Sequence, residues 1–311
     1  MKKGYVIIVT YNGLKWIDEC LKSVVNSSFP VIPVVVDNNS TDKTVSFIKE
    51  NFPNVILFEQ TKNLGFGKAN NLGMSYALNK DADFVFLLNQ DAFLEKDTIR
   101  DLVQVANKHP EYGILSPIQL DYSGTFLEKY FLQFTSKDKA CSLYSDLVIG
   151  NKIKDVYAVE FIQAAAWFLP INTLKNIGGF DPIFYHYGED DNYCQRVRYY
   201  QLKIGIVPAT FIRHDTNKPS ENSFKTFSKK YYSIYKKDIC INYANINKTL
   251  KPSVILKARK IIHIKIIKSF VKLNFKNVLG YYKELRIFNK TLKLIEHSRK
   301  INSKIKANYL N

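Results

Sequence analysis

The sequence has no closely spaced pair of cysteines: Cys20, Cys141, Cys194 and Cys240 are scattered along 311 residues. That scatter argues against a zinc site and against a secreted disulfide framework, so reduced thiols in a cytoplasmic protein are expected. Long apolar runs are missing too. No stretch reaches the roughly 18 uncharged apolar residues that span a bilayer, and the run Tyr5–Val9 behind Lys2 and Lys3 is too short for a signal-peptide core. Neither export nor membrane threading is expected. There is no internal repeat and no Walker loop, since Lys68 is followed by Ala69 and the glycine spacing is wrong. No recognisable nucleic-acid motif occurs, so nucleic acid is not an expected partner.

What is present is a 46% apolar chain, ample for a buried core, with a formal charge of +17. The charge is uneven. From Lys218 onward there are 23 Lys and Arg against 4 acids, a net of +19, whereas residues 1–217 carry 22 against 24, a net of −2. A near-neutral body over 1–217 and a cationic tail over 218–311 are the expected domains, with the body divided at about 121/122.

In the body, short β-branched runs alternate with segments of helical spacing. Strands are expected at Tyr5–Thr10, Val31–Val36, Val55–Glu59, Phe84–Leu88 and Gly113–Asp121. Helices are expected over Gly13–Ser23, through Val45–Asn51, and over Lys68–Asn79, Asp97–Lys108 and Glu189–Tyr200. The segment Val156–Leu169 reads as extended, Lys203–Pro208 and Thr210–His214 read as two short strands, and Ser123–Asp155 carries no clear period. This alternation predicts an α/β fold with a mainly parallel sheet and helices on both faces. In such sheets ligands bind beyond the carboxyl ends of the strands, where this chain carries Thr10-Tyr11-Asn12, Asp37, Asn63-Leu64-Gly65 and Asn89-Gln90-Asp91.

Each candidate has a plainer reading beside the chemical one. Asp91 closes an apolar strand and is placed to hold Mg2+ or Mn2+ against a diphosphate, or to cap the next helix. Asp37 is placed to accept from a nucleobase or ribose, or to build an Asx turn. Gly65 and Gly67 allow close backbone approach, and Lys68 offers a cation to phosphate or base. The adjacent acids Glu189, Asp190 and Asp191 repel one another, so at least one pKa should be raised; a general base is one use, a favourable first helical turn the other. His214 suits either a metal shell or a structural role. Trp167, Phe184, Tyr185 and Tyr187 suit either sugar stacking or the core.

Taken in order, the segments resemble family 2 glycosyltransferases of the GT-A fold, particularly the rhamnosyltransferase-like bacterial branch, over roughly residues 4–215. The segments that carry this are Val6–Asn12, Val34–Asp42, Asn63–Asn71, Asn89-Gln90-Asp91, Gly178–Asp181 and Tyr187–Cys194. The resemblance implies a nucleoside-diphosphate sugar donor, dTDP- or UDP-linked, held by Thr10, Tyr11, Asn12, Asp37, Asn39, Asn63, Gly65, Lys68, Asn89 and Asp91. It implies a divalent metal, Mg2+ or Mn2+, on Asp91 and His214, with Asn89 standing where the family's Asp-x-Asp motif has its first carboxylate. It implies Asp190 as the base, Glu189 and Asp191 as supporting acids, and Trp167, Tyr185 and Tyr187 against the acceptor. The usual Glu-Asp-x-Asp pattern ends here in Asn192. Inverting transfer to a glycan or lipid-linked glycan acceptor, in cell-surface polysaccharide synthesis such as capsule or O-antigen, is the implied activity.

In the tail, Val254–Phe275 sets Ile, Leu, Val and Phe among Lys257, Arg259, Lys260, Lys265, Lys268 and Lys272. That composition suits an anionic membrane surface and a peripheral place on the inner face of the cytoplasmic membrane; packing against the body or another subunit is the alternative, and a homo-oligomer is compatible with the sequence. Two rival functions are an inactive membrane-associated sugar-nucleotide-binding scaffold, against which Asp91, Asp190 and His214 count together, and a sugar nucleotidyltransferase. The latter would open with a glycine- and basic-rich loop that Thr10–Leu14 lacks.

Overall fold

The computed structural model describes residues 2–135, 139–216 and 224–310. The chain divides into two compact units, Met1–Asn217 with Ile305–Asn311, and Lys218–Lys304. Residues 217–223, at the expected domain boundary, lie outside the described residues.

The first unit runs β1 (Gly4–Thr10), α1 (Ile17–Val25), β2 (Val31–Asp37), α2 (Thr44–Asn51), β3 (Ile56–Glu59), α3 (Phe66–Leu78) and β4 (Phe84–Asn89). It continues with β5 (Ala92–Leu94), α4 (Thr98–Lys108), β6 (Tyr112–Asp121), α5 (Lys129–Phe134), α6 (Cys141–Ile149), β7 (Tyr157–Val159), β8 (Ala166–Pro170), α7 (Ile171–Ile177), α8 (Glu189–Tyr199) and β9 (Lys203–His214). The strands form one sheet in the order β3-β2-β1-β4-β8-β6-β9-β5, with β7 on β9.

The continuous apolar runs of β1, β2 and β4 have a simple cause: the sheet is covered on both faces. Tyr5, Ile7, Val34, Val85 and Leu87 enter one core. Their alternates Val6, Ile8, Val35, Phe86 and Leu88 enter the other.

The sheet is mixed rather than mainly parallel. The strands β3, β2, β1 and β4 are parallel. Next to them β8 lies antiparallel to both β4 and β6, while β6 and β9 are parallel. The two short strands expected over 203–214 are one strand, whose register on β6 shifts between Pro117 and Ile118. The segment without a clear period holds the short helices α5 and α6.

Residues 305–310, expected in the tail, belong to the first unit. The Gly179 N–H donates to the Asn308 carbonyl at 2.8 Å and the Lys306 N–H to that of Asn176 at 3.0 Å, and Leu310 joins the core. Gly178 adopts φ +84°, and a Cβ there would lie 2.0 Å from the Asn308 carbonyl oxygen, so only glycine fits. The fully buried Arg196 reaches the same turn, donating to the carbonyls of Ile177 and Gly179.

The second unit is helical: α9 (Lys229–Tyr243), α10 (Pro252–Val271) and α11 (Phe275–Asn302). Arg259 bonds Asn289 at 2.9 Å and the Lys265 ammonium lies 5.3 Å from the Tyr281 ring centre, so α10 and α11 form an antiparallel hairpin. Among the described residues no helix is long and apolar enough to cross a membrane.

Candidate active site

The carboxyl ends of β1, β2 and β4 and the end of β9 converge. The three-residue β5 pairs antiparallel with β9, setting Ala92 opposite His214, and the Asp215 N–H donates to the Asp91 carbonyl at 2.9 Å. This register brings together two side chains 123 positions apart: His214 Nε2 lies 3.4 Å from Asp91 Oδ1, both residues being buried. Asn89 Nδ2 is 3.5 Å from the same imidazole nitrogen. The other ring nitrogen, Nδ1, is buried with no hydrogen-bond partner.

These residues fit a divalent ion. With ligand bonds of about 2.1 Å, two ligands of one ion stand roughly 3.0–3.4 Å apart. Among the described residues no group of three or more His, Cys, Asp and Glu side chains could hold a metal. Asp91 and His214 would give such an ion two ligands, and the others would have to come from substrate phosphates and water.

The acid cluster opens α8, behind Gly188 in the left-handed region at φ +93°. Burial and the charge of Asp190 push the Glu189 carboxyl up from 4.5 to about 7, and Glu189 Oε2 is buried without a hydrogen-bond partner. Burial also raises Asp190, opposed by backbone N–H groups of Asp191, Ala164 and Gly188 that stabilise its charged form. A raised pKa was expected from repulsion; burial is the larger cause. Asp191 supports its neighbour through the main chain, its N–H reaching Asp190 Oδ1 at 2.9 Å.

Two alanines connect the halves of the site. The N–H of Ala164 faces the Asp190 carboxylate, and the carbonyl of Ala165 accepts from the Asn89 N–H at 2.9 Å. The carboxylate with backbone donors around it is thus one residue along the chain from the strand end that carries Asn89 and Asp91.

The loop before α3 closes on the loop before α8. Gly65, at φ +82°, passes so near Tyr185 that a Cβ would lie 2.1 Å from its carbonyl oxygen. Asn63 Oδ1 accepts from the Gly65 N–H at 2.9 Å. Asn71 exchanges both amide hydrogen bonds with the Phe180 backbone, at 2.7 and 2.8 Å, tying α3 to the turn that leads into the aromatic loop. Lys68, Tyr185 and Tyr187 are exposed, as an incoming ligand would require.

Other expected residues have different roles. Thr10 is fully buried and its hydroxyl donates to Gln90 Oε1 at 2.7 Å, so it joins the ends of β1 and β4 rather than facing a donor. Trp167 is also fully buried, stacked on Phe180 at 5.9 Å, and belongs to the core rather than to an acceptor surface. Asp37 is 2% exposed and both its oxygens accept from Ser40, three residues on, so it closes the loop after β2; a nucleobase would meet only the lone pairs Ser40 leaves. Asn12 accepts from the Thr41 N–H at 2.8 Å in the adjoining loop. Tyr11 and Asn39 are exposed at the strand ends.

Sequence reasoning missed Gln90, which also accepts from the Tyr11 N–H at 3.0 Å. It missed the buried Asn38, which accepts from the Leu64 N–H at 3.0 Å and so fixes the Gly65 loop to β2. It also missed a cleft of about 260 Å3 lined by Lys15, Trp16, Glu19, Tyr122 and Asp215. There Asp215 pairs with Lys15 and accepts from the Trp16 indole, each at 2.8 Å. The signal in Gln90 was its place between Asn89 and Asp91, and in Asn38 its place between Asp37 and Asn39; the cleft had none.

The Glu189 shift has a stability consequence. With the folded pKa near 7 and the unfolded near 4.5, the folded chain binds the extra proton between those values. The stabilisation is full below pH 4.5 and is lost as pH rises to about 7, by about 3 kcal/mol at most. Glu189→Gln should match the wild type in urea midpoint at acidic pH and exceed it at pH above 7; equal midpoints at both ends would refute the buried neutral acid.

Residues 5–159 match the profile of glycosyl transferase family 2; Glu189–Asp191 and His214 lie beyond that segment. Among curated relatives, the poly(ribitol-phosphate) beta-N-acetylglucosaminyltransferase TarS of Staphylococcus aureus is 32% identical over 116 residues, 35% of this chain and 20% of that protein. The N-acetylglucosaminyl-diphospho-decaprenol L-rhamnosyltransferase of Mycobacterium tuberculosis is 30% identical over 129 residues, 39% of this chain and 42% of its own length. The match thus spans about a fifth of the TarS protein and less than half of the rhamnosyltransferase. The crystal structure of S. aureus TarS residues 1–349 in complex with UDP-GlcNAc superposes with a TM-score of 0.57 at 18% identity, covering 95% of this chain and 83% of that one. That likeness shows a common GT-A fold.

Proposed function

Because this chain belongs to the family 2 glycosyltransferases through its domain at residues 5–159, we propose that it transfers a sugar from a nucleoside diphosphate to a hydroxyl of a glycan or lipid-linked glycan, with inversion. The observation that carries this reading is the Ala164–Ala165 bridge, which joins Asp190 to the strand end bearing Asn89 and Asp91. A base and a diphosphate-holding group must both reach one anomeric carbon, and the closeness of these two segments supports that reading.

In this reading Asp190 takes the proton of the acceptor hydroxyl, whose oxygen bonds to the anomeric carbon as the bond to the diphosphate oxygen breaks and the nucleoside diphosphate leaves with the electron pair. Glu189, pushed up to about 7 by burial and the charge of Asp190, stays largely protonated below that pH and leaves the charged role to Asp190. Asp91 and His214 would hold Mg2+ or Mn2+, which neutralises charge on a departing diphosphate. Exposed Lys68 and the Gly65 loop would meet donor phosphates or base, and exposed Tyr185 and Tyr187 the acceptor. The named relatives act with N-acetylglucosamine and L-rhamnose, and the TarS complex holds UDP-GlcNAc, so UDP- and dTDP-linked donors are the first to try. The basic helices suit a peripheral place on the inner face of a cytoplasmic membrane beside a lipid-linked acceptor.

The test is a binding and hydrolysis screen of UDP-, dTDP- and GDP-sugars with Mn2+ or Mg2+. One donor bound and slowly hydrolysed is the expected result; a donor bound but never turned over would favour the scaffold reading, and a folded protein that binds none would overturn the nucleotide-sugar reading.

A further inference from the structure

The corner between α10 and α11 carries a feature that its own fold does not use. Leu273 lies in the left-handed region at φ +52°. Its N–H bonds the Phe270 carbonyl at 2.8 Å, and the Asn274 N–H bonds that of Ser269 at 2.9 Å, a Schellman-type helix end whose left-handed position favours glycine. A leucine there is strained, and its side chain is 72% exposed, so the strain gains no core contact in return. Around it Ile267, Phe270, Val271, Phe275 and Leu279 are 58–75% exposed, with the rings of Phe270 and Phe275 6.3 Å apart. Exposed apolar side chains gathered at one helix corner mark an interaction surface.

The charge around the corner indicates what meets it. Residues 239–283 contain ten Lys and Arg and no Asp or Glu. Lys268, Lys272 and Lys276 at the corner are exposed. Apolar side chains ringed by cations without acids complement a surface that is anionic outside and hydrocarbon within. On α10 the outward apolar residues alternate with lysines, so the helix has no clean apolar stripe to lay flat; the apolar residues concentrate at its end.

We infer that the α10–α11 corner is a membrane wedge: Phe270, Val271, Leu273 and Phe275 enter the acyl boundary of an anionic bilayer while Lys268, Lys272 and Lys276 meet lipid phosphates. This rests on the peripheral-membrane reading above and specifies the inserting element.

The test is co-sedimentation of the full chain with phosphatidylcholine vesicles, with and without phosphatidylglycerol. The wild type should bind only the anionic vesicles, and Leu273→Asp should weaken that binding roughly tenfold. Leu273→Gly should weaken it as well while raising the thermal midpoint, because the strain is relieved; that pairing separates lost insertion from misfolding. If the wild type binds and both variants bind equally well, the wedge is wrong and the peripheral reading stands. If the wild type binds no vesicles, both fall. If Leu273→Asp instead dissolves a dimer seen by sedimentation velocity without lipid, a second copy covers the corner and the wedge is overturned.

Discussion

Asp190→Asn is expected to lower the rate of sugar transfer by about 10²–10⁴-fold, the usual worth of general-base assistance, while donor affinity is unchanged. Asparagine keeps an oxygen able to accept from the N–H groups of Asp191 and Ala164, so the local fold should survive. What it loses is the capacity to take a proton. Single-turnover rates with a fixed donor, together with calorimetric donor affinity, separate the two effects. In the wild type the same assignment predicts a rate that falls as pH drops through the raised Asp190 pKa, since only the ionised form accepts the proton. Should Glu189→Gln prove the inactive variant and Asp190→Asn an active one, the two carboxylates exchange roles and the bridge through Ala164 would be structural only.

Asp91→Ala is expected to cost more than about 100-fold in donor affinity measured with Mn2+, because even outer-shell changes at metal sites cost 10–100-fold. The backbone contact from Asp215 to the Asp91 carbonyl survives the substitution, so β5 should stay paired. His214→Gln should fall in the same direction. The decisive comparison is the wild type titrated with donor in Mn2+ and in EDTA. Equal affinity in the two, with Asp91→Ala also unchanged, would remove metal from the site and leave Asp91 and His214 as a structural contact.

The parallel half of the sheet was legible because β1, β2 and β4 are buried on both faces and therefore read as unbroken β-branched and aromatic runs. Strand direction was not: nothing in the composition of Ala166–Pro170 records that it lies between β4 and β6 running the other way. Trp167 was misplaced for a related reason, since an aromatic residue on a strand faces core or solvent depending on pairings that residue spacing does not state. The nearness of Asp91 and His214 depends on β5, whose three residues are too few to show a period. The Ala164–Ala165 bridge acts through main-chain groups that every residue but proline possesses, and so left no trace in residue identity. Asp37 and Thr10 were correctly placed at strand ends, but a strand end also has to be closed, and there hydrogen bonds to Ser40 and Gln90 occupy them.

The return of residues 305–310 to the Gly178–Gly179 turn makes the basic helices an insertion in the chain rather than an appendage. A stop codon placed in Lys218–Lys304 would remove only the helical residues after it, yet at every position would strip Leu310 and the Asn308 contacts from the first unit. Excising the helices and rejoining the flanking segments through a linker is the cleaner deletion. A protease cut within those helices would give two bands on a denaturing gel, with the last fragment retained by the first unit under native conditions.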